Sequence, residues 1–285
     1  MTIVRTKADL CEALAPHRLA GRTIGLVPTM GFLHEGHLSL LRAARERCGV
    51  VVMSLFVNPA QFGPGEDLES YPRDEARDAE LAEAAGVDVI YAPAAEEIYP
   101  DGFATSIEVG GGLTDVLCGA PGRRGPDHFR GVATVVAKLL NAVAPDVAFF
   151  GQKDAQQALV IRRMARDLDF PVEIQVLPTV RESDGLALSS RNAYLDPEER
   201  QRATALHRAL RAAEAVAESG EARTDAALGA ARAELERAGI EPEYLEARDA
   251  ETLAPAESLN GRPVLVAVAA RVGKARLIDN LVIGS

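Results

Sequence analysis

The sequence predicts an α/β protein: a doubly wound, Rossmann-like parallel sheet over residues 1–179 and a smaller C-terminal α+β domain over 180–285. Three observations predict it. Over the N-terminal stretch of the chain, apolar strand-like runs alternate with stretches of helical periodicity, the order that builds a parallel sheet through right-handed crossovers. One of these runs, VVVMSLFVN at 50–58, is almost continuously apolar and rich in Val, as a strand buried on both faces must be. From Arg181 the texture changes to Ala/Glu/Arg-rich helix and then to three further strand-like runs. The two regions join near residues 178–183.

Taken in order, residues 6–20 read as a helix, with Thr6 as N-cap ahead of Leu10 and Leu14. The run Ile24–Val27 stops at Pro28, and a turn follows with Gly31 and Gly36. Leu38, Leu41, Ala44 and Arg45 then fall at helical spacing. The strand at 50–58 empties into NPAQFGPGEDL, a loop rich in Pro and Gly. Residues 70–85 read as a charged helix, VDVIYAP at 87–93 as a third strand and TSIEV at 105–109 as a fourth. GVATVVAKLLNAVAPD is a helix with a buried face, stopped near Pro145. VAFFGQKD is a strand running into a turn, AQQALVIRRMARDLDF an amphipathic helix, and PVEIQVLPTV the last strand of this half. Beyond the junction, a long helix starts at Asp196-Pro197, an N-cap with Pro in the first turn. A second helix covers 224–238. PEYLEARDAETL, PVLVAVAARV and ARLIDNLVIG then read as a small antiparallel sheet.

Composition narrows the class. A net charge of −11 with no Trp argues against a nucleic-acid surface, which needs extended basic character. No apolar run has the length of a membrane span, and MTIVRTKADLCEAL lacks the layout of a secretory signal, so a cytoplasmic protein is expected. Cys11, Cys48 and Cys118 are odd in number and far apart, forming neither a C-x-x-C pair nor a disulfide framework.

Three turns and one loop carry candidate chemistry. A strand that breaks at Pro28 and re-emerges as a helix leaves unpaired N–H groups at the helix start, with the helix dipole behind them, and so makes a site for phosphate. His34 and His37 sit in that turn, three apart; a zinc-protease pattern needs four, and no Cys/His set completes a metal site, so no metal ligand is assigned. Imidazoles placed there suit stabilisation of charge on a transferring phosphoryl group. In GQKDAQQ, Lys153 is a candidate for neutralising ATP phosphates, Asp154 for capping the helix or meeting the ribose, and Gln157 lies one turn on. In LALSSRN, Ser189 and Ser190 beside Arg191 form a compact anion clamp. Asn58, Gln61 and Phe62 add amides and an aromatic wall without charge. No phosphate loop of the G-x-x-x-x-G-K-[ST] kind, no G-x-G-x-x-G after the first strand and no G-x-S-x-G elbow is present. The residues thus point to adenylyl or phosphoryl transfer on a doubly wound sheet, with no evident nucleophile from the protein.

In series, PTMGFLHEGH, FVNPAQF, FFGQKDAQQ and LALSSRN, with YLEARDAETL and GKARLIDN in the tail, closely resemble the pantoate–β-alanine ligases over nearly the whole chain. The histidine turn is similar to the H-x-G-H signature of the wider nucleotidyltransferase superfamily. The resemblance implies ATP-dependent condensation of (R)-pantoate with β-alanine to pantothenate, AMP and pyrophosphate. It also implies a pantoyl-adenylate intermediate, Mg²⁺ and a homodimer. By motif position it implies an ATP site at Met30, Gly31, Phe32, Leu33, His34, Glu35, Gly36 and His37, at Gly151, Gln152, Lys153 and Asp154, and at Val180, Leu188, Ser189, Ser190 and Arg191. His37 would be the proton donor and His34 would stabilise phosphate charge, with Lys153, Ser189, Ser190 and Arg191 as phosphate ligands. Gln61 and Gln157 would hold pantoate, and Gln61 would also meet β-alanine. Gln152 stands where the family usually has Glu, and Leu188 where it usually has Met. The loop LCGAPGRRGPDHFRGV is a few residues longer than the usual form, and the sequence does not choose between Arg123 and Arg124 for that loop's arginine role. Another adenylyl- or cytidylyltransferase of the same superfamily is the alternative expectation.

Overall fold

The computed structural model describes residues 1–284. Six parallel strands form the main sheet: β1 (Thr2–Val4), β2 (Ile24–Thr29), β3 (Val50–Leu55), β4 (Val89–Tyr91), β5 (Val147–Gly151) and β6 (Glu173–Leu177), in the order β1-β4-β3-β2-β5-β6. Side chains alternate between two helical layers. Ile24, Leu26, Val50, Val52, Ala148 and Phe150 pack on one side, and Val27, Val51, Met53, Val147 and Phe149 on the other. Both faces are therefore covered, which is why strand 50–55 reads as unbroken apolar sequence. The first layer is α1 (Lys7–Leu19), α5 (Pro126–Val143) and α6 (Ala155–Asp167); the second is α2 (Glu35–Arg47) and α3 (Glu75–Ala84), with the one-turn α4 (Ala95–Ile98) beyond β4.

Local sequence explains most boundaries. Thr6 caps α1, accepting from Asp9 N–H at 3.1 Å, and α1 buries Leu10 and Leu14 completely. Each of these leucines contributes about 2 kcal/mol of apolar burial. Pro126 opens α5, and Ala144 ends it in the left-handed region (φ 40°) just before Pro145.

Three expectations are corrected and one strand is added. Residues 105–109 form no strand: both edges of β4 are already taken by β3 and β1, so the segment lies over α5 instead, with Ile107 N–H donating to Thr134 Oγ1 at 2.9 Å. The edge strand at Thr2–Val4 is not expected from the sequence pattern. The helix expected over 70–85 is confined to Glu75–Ala84. Pro72 precedes it, Asp74 caps it, and Arg73 ties the carbonyls of Leu68 and Tyr71 into a loop. The long helix from Pro197 is two, α7 (Pro197–Ala203) and α8 (Ala205–Glu218). They break at Thr204, whose hydroxyl returns to the Gln201 carbonyl at 2.6 Å.

The C-terminal region also contains α9 (Thr224–Arg237) and the antiparallel strands β7 (Pro242–Asp249), β8 (Val264–Val272) and β9 (Ala275–Ile283), in the order β7-β8-β9. β8 is buried on both faces. Val264, Val266, Val268 and Ala270 pack on α8 and α9, while Leu265, Ala267 and Ala269 join the core of the N-terminal region. That shared core sets the C-terminal sheet against the carboxyl ends of the parallel strands.

Candidate active site

In an open parallel sheet, ligands bind outside the carboxyl ends of strands where the winding reverses. Here that point lies between β2 and β5, neighbours in the sheet. The turns leaving them carry the histidines and Lys153. A single cleft is lined by Met30, His34, Gly36 and His37 after β2, by Asn58 and Gln61 after β3, and by Gly151, Lys153, Asp154 and Gln157 after β5. Val180 follows β6, and Leu188, Ser189, Ser190 and Arg191 come from the start of the C-terminal region.

The histidine turn is a capping box built from two imidazoles. His34 is the N-cap of α2, and its Nδ1 accepts from Gly36 N–H at 3.2 Å, while His37 Nδ1 accepts from His34 N–H at 3.4 Å. The rings stack with centroids 4.1 Å apart. Burial pushes the His34 pKa down to about 4, helped by Lys153 and opposed by Asp154. Burial, then the neighbouring His34, pushes His37 well below the usual value. Both rings are thus neutral near pH 7. With Nδ1 accepting, the proton sits on Nε2, so each ring offers one N–H donor to a ligand.

The backbone before them is tightly constrained. Gly31 has φ +88°, and a Cβ there would meet Leu55 Cδ1 at 2.6 Å and Asp78 Oδ2 at 2.9 Å. Phe32 follows at φ 51°, a conformation costing about 1–2 kcal/mol for a residue with a side chain. The Asp78 carboxylate, 1% exposed, accepts from Phe32 N–H at 2.6 Å and Leu33 N–H at 2.7 Å. Burial raises its pKa, and those two amides oppose the rise.

Gln61 is oriented from both ends: its Oε1 accepts from Asn58 Nδ2 at 3.1 Å, and its Nε2 donates to Met30 Sδ at 3.1 Å. Asn58, 1% exposed, also donates to the Gly131 carbonyl and accepts from Tyr99 OH at 2.7 Å. Beneath it, His128 donates to the Gln61 carbonyl at 2.7 Å; burial, then Arg124, pushes its pKa to about 3. Ser54 and Thr179 line the cleft with hydroxyls that have no hydrogen-bond partner among the described residues.

Charge in the cleft is mostly basic and partly engaged. Lys153 lies 3.6 Å from Asp154. Arg191 pairs with Asp67 at 2.9 Å; burial opposes its charge, but the Asp67 carboxylate outweighs that and holds its pKa above the ordinary value. Arg124 lies 3.2 Å from Glu66, and burial lowers its pKa. Both acids belong to the loop 63–70, which therefore spans the two arginines. Arg123 turns away: it donates to the Leu117 carbonyl and pairs with Glu246 at 3.0 Å. Of the two arginines between which the sequence does not choose, Arg124 is the one in the cleft.

Not every expected residue presents its side chain there. Leu33 is in the core, 1% exposed. Glu35 pairs with Arg42 at the surface. Phe32 lies under Arg77, and its carbonyl accepts from Ser190 Oγ at 3.3 Å. Gln152 is bound to Asn280, its Nε2 donating at 3.1 Å. Phe62 packs edge-on against Tyr71. Asp78, Asn280 and Arg276 are not singled out by sequence reasoning. Asp78 alone leaves a signal, a carboxylate four residues before Ala82 on the one buried stripe of α3.

Paired neutral imidazoles at a helix start, on a doubly wound sheet and opposite a lysine turn and a Ser-Ser-Arg clamp, define a nucleotide-handling α/β enzyme. A family model described as pantoate-beta-alanine ligase matches residues 2–282, and the chain belongs to that family, whose members are ligases joining pantoate to β-alanine. The pantothenate synthetase of Moorella thermoacetica is 56% identical over 284 residues, covering 99% of each chain. Pantothenate synthetase 1 of Bradyrhizobium diazoefficiens is 55% identical over 283 residues, covering 99% of this chain and 98% of its own. Among solved structures, the Thermus thermophilus pantothenate synthetase superposes with a TM-score of 0.93 at 50% identity, covering 99% of both chains. The Francisella tularensis pantoate-beta-alanine ligase, complexed with beta-gamma ATP and beta-alanine, has a TM-score of 0.82 at 32% identity, covering 99% of this chain and 97% of its own.

Proposed function

We propose that this cleft makes pantothenate in two steps from ATP, (R)-pantoate and β-alanine, through an enzyme-bound pantoyl adenylate. A carboxylate oxygen of pantoate attacks the α-phosphorus, the bond to the bridging oxygen breaks, and pyrophosphate leaves. The β-alanine amine then attacks the acyl carbon; the C–N bond forms, the amine loses a proton, and AMP leaves. The substrate carries its own nucleophile, consistent with a cleft that offers hydrogen-bond donors and cations.

The observation that carries this reading is the convergence of two neutral Nε2–H donors, Lys153 and Ser189–Arg191 on one cleft that also holds the uncharged Gln61 and Gln157. Neutral donors suit charge that develops only in the transition state. His34 and His37 serve the α-phosphate, with His37 donating as charge builds. Lys153, Ser189, Ser190 and Arg191 take the outer phosphates. Main-chain groups of residues 30–37 and 151–154, with Val180 and Leu188, complete the nucleotide site. Gln61 and Gln157 bind pantoate, and Gln61 also meets β-alanine. The division at 179/180, with the C-terminal domain covering the cleft, belongs to the same reading.

Magnesium fits this donor set as an ion carried in on the triphosphate. Asp154 is the cleft carboxylate not committed to an arginine, whereas Asp279 is held by Arg181 at 2.6 and 2.9 Å. One carboxylate plus phosphates and water is the usual environment of Mg²⁺, which would neutralise charge on the leaving pyrophosphate. The reading also places the enzyme in the cytoplasm as a homodimer, checked by sedimentation of the purified protein.

Release of AMP and pyrophosphate, measured with each acid omitted in turn, tests the reaction. Turnover must require both acids, and pantoyl adenylate must accumulate when β-alanine alone is missing. A product retaining its nucleotide, or AMP release without pantoate, overturns the reading.

A further inference from the structure

We infer that Asp78 is a positioning residue for adenylate formation, holding the 31–33 backbone so that His34 and His37 present their Nε2–H groups to the cleft. The inference rests on the reading that these two histidines serve the α-phosphate.

Asp78 does not line the cleft, and both its oxygens are directed to the backbone that precedes the histidines. Gly31 and Phe32 both have positive φ, so the turn is not a conformation the chain adopts on its own account. It persists because something external determines it, and the two short bonds to Phe32 and Leu33 N–H are that constraint. A carboxylate suits this role because it accepts on both oxygens, whereas an amide of the same shape accepts on one and presents N–H to N–H on the other. The nearest cation, Arg77 Nη1, is 3.8 Å from Oδ1 and is itself placed over the Phe32 ring. The carboxylate is therefore held chiefly by the two amides it orients.

The path from these amides to the imidazoles is short. Leu33 precedes His34, whose own N–H is the donor that fixes His37 Nδ1, while His34 Nδ1 is fixed by Gly36 N–H. Moving the peptide planes at 32 and 33 shifts the N-cap, and the pairing that places each proton on Nε2 is loosened. On the far side Ser190 Oγ holds the Phe32 carbonyl, so the turn is clamped between α3 and the Ser-Ser-Arg segment. Asp78 thus acts on the chemistry only through the histidines.

Asp78→Asn is the test, with imidazole ¹⁵N NMR of the intact enzyme as a readout independent of turnover. In the wild type both histidines should give Nε2–H tautomer signals. In the variant these signals should shift or broaden, and pyrophosphate formation should fall roughly ten- to hundredfold in kcat with KM for ATP changed less than about threefold. Ala82→Gly, on the same buried stripe of α3, is the stability control; it should lower Tm while leaving the histidine signals and kcat near wild type. Unchanged histidine signals in folded Asp78→Asn, or an equal loss of kcat in Ala82→Gly, overturn the positioning role. Altered signals with unchanged pyrophosphate formation support positioning and overturn instead the assignment of the histidines to the chemistry. Should Asp78→Asn fail to fold, Asp78→Glu carries the same test, because it keeps the charge but displaces both oxygens.

Discussion

His37 shows how much a single side chain does here. Its Nδ1 closes the capping box on His34 N–H and its Nε2–H remains for a ligand, so one ring is at once cap and donor. Replacing it with Ala should cost only about 1 kcal/mol of stability through the lost cap. Pyrophosphate formation should fall roughly a hundredfold or more, as when a preorganised donor to developing charge is removed. Wild-type pyrophosphate release by a folded His37→Ala would sink that role. The same burial that keeps the rings neutral links them to stability. His34 at about 4, His37 well below its usual value and His128 at about 3 all bind protons less readily folded than unfolded. Between pH ~4 and ~6.5 the unfolded chain takes up protons that the native state refuses, so stability rises with pH across that window. Each tenfold difference in a histidine's proton affinity between the two states contributes about 1.4 kcal/mol. Above pH ~6.5 these groups contribute no further slope. Urea midpoints measured from pH 4.5 to 7.5 should climb and then level, and a midpoint that falls over that range contradicts the assignment.

At the scale of elements, the loop 63–70 supplies counter-charge to the site. It sets Asp67 on Arg191 and Glu66 on Arg124, and Asp67 Oδ2 is buried with no hydrogen-bond partner among the described residues. A triphosphate approaching Arg191 competes with Asp67 for it. Asp67→Asn should therefore tighten ATP binding by a few-fold, given a partly exposed pair worth about 1 kcal/mol or less. Calorimetric titration with ATP measures this; weaker binding by the variant would show that Asp67 assists the nucleotide instead. The loop is legible in the sequence as Pro- and Gly-rich chain after a strand, but its pairings are not, because Asp67 and Arg191 are 124 residues apart. The helix from Pro197 shows the opposite limit. Its start is readable from the Asp196 cap, yet its break at Thr204 is not, since Thr is unexceptional within a helical run and only its bond to Gln201 marks the change.

For the whole molecule, the deciding feature is how the C-terminal sheet meets the parallel one. Asn280 on β9, 6% exposed, donates to the carbonyls of Gln152 at 3.0 Å and Lys153 at 2.9 Å, fixing the lysine turn from the far end of the chain. Asp279 beside it holds Arg181 just past the junction. Asn280→Ala leaves both carbonyls without their donor in a buried place. It should cost about 2 kcal/mol and lower Tm by roughly 5 °C. It should also reduce kcat by freeing Lys153, and an unchanged melting curve by calorimetry would refute the linkage. By itself the sequence determined the fold class, the order of most elements and the turns that carry the chemistry, because periodicity, Pro, Gly and helix caps act over a few residues at a time. Tertiary structure alone decided that Arg124 rather than Arg123 enters the cleft and that Asp78 grips the histidine turn. It decided too that β8 is buried on both faces and that Asn280 braces Lys153. Each of these depends on which distant surfaces share a core, and the energy that settles it comes from packing between segments no local pattern connects.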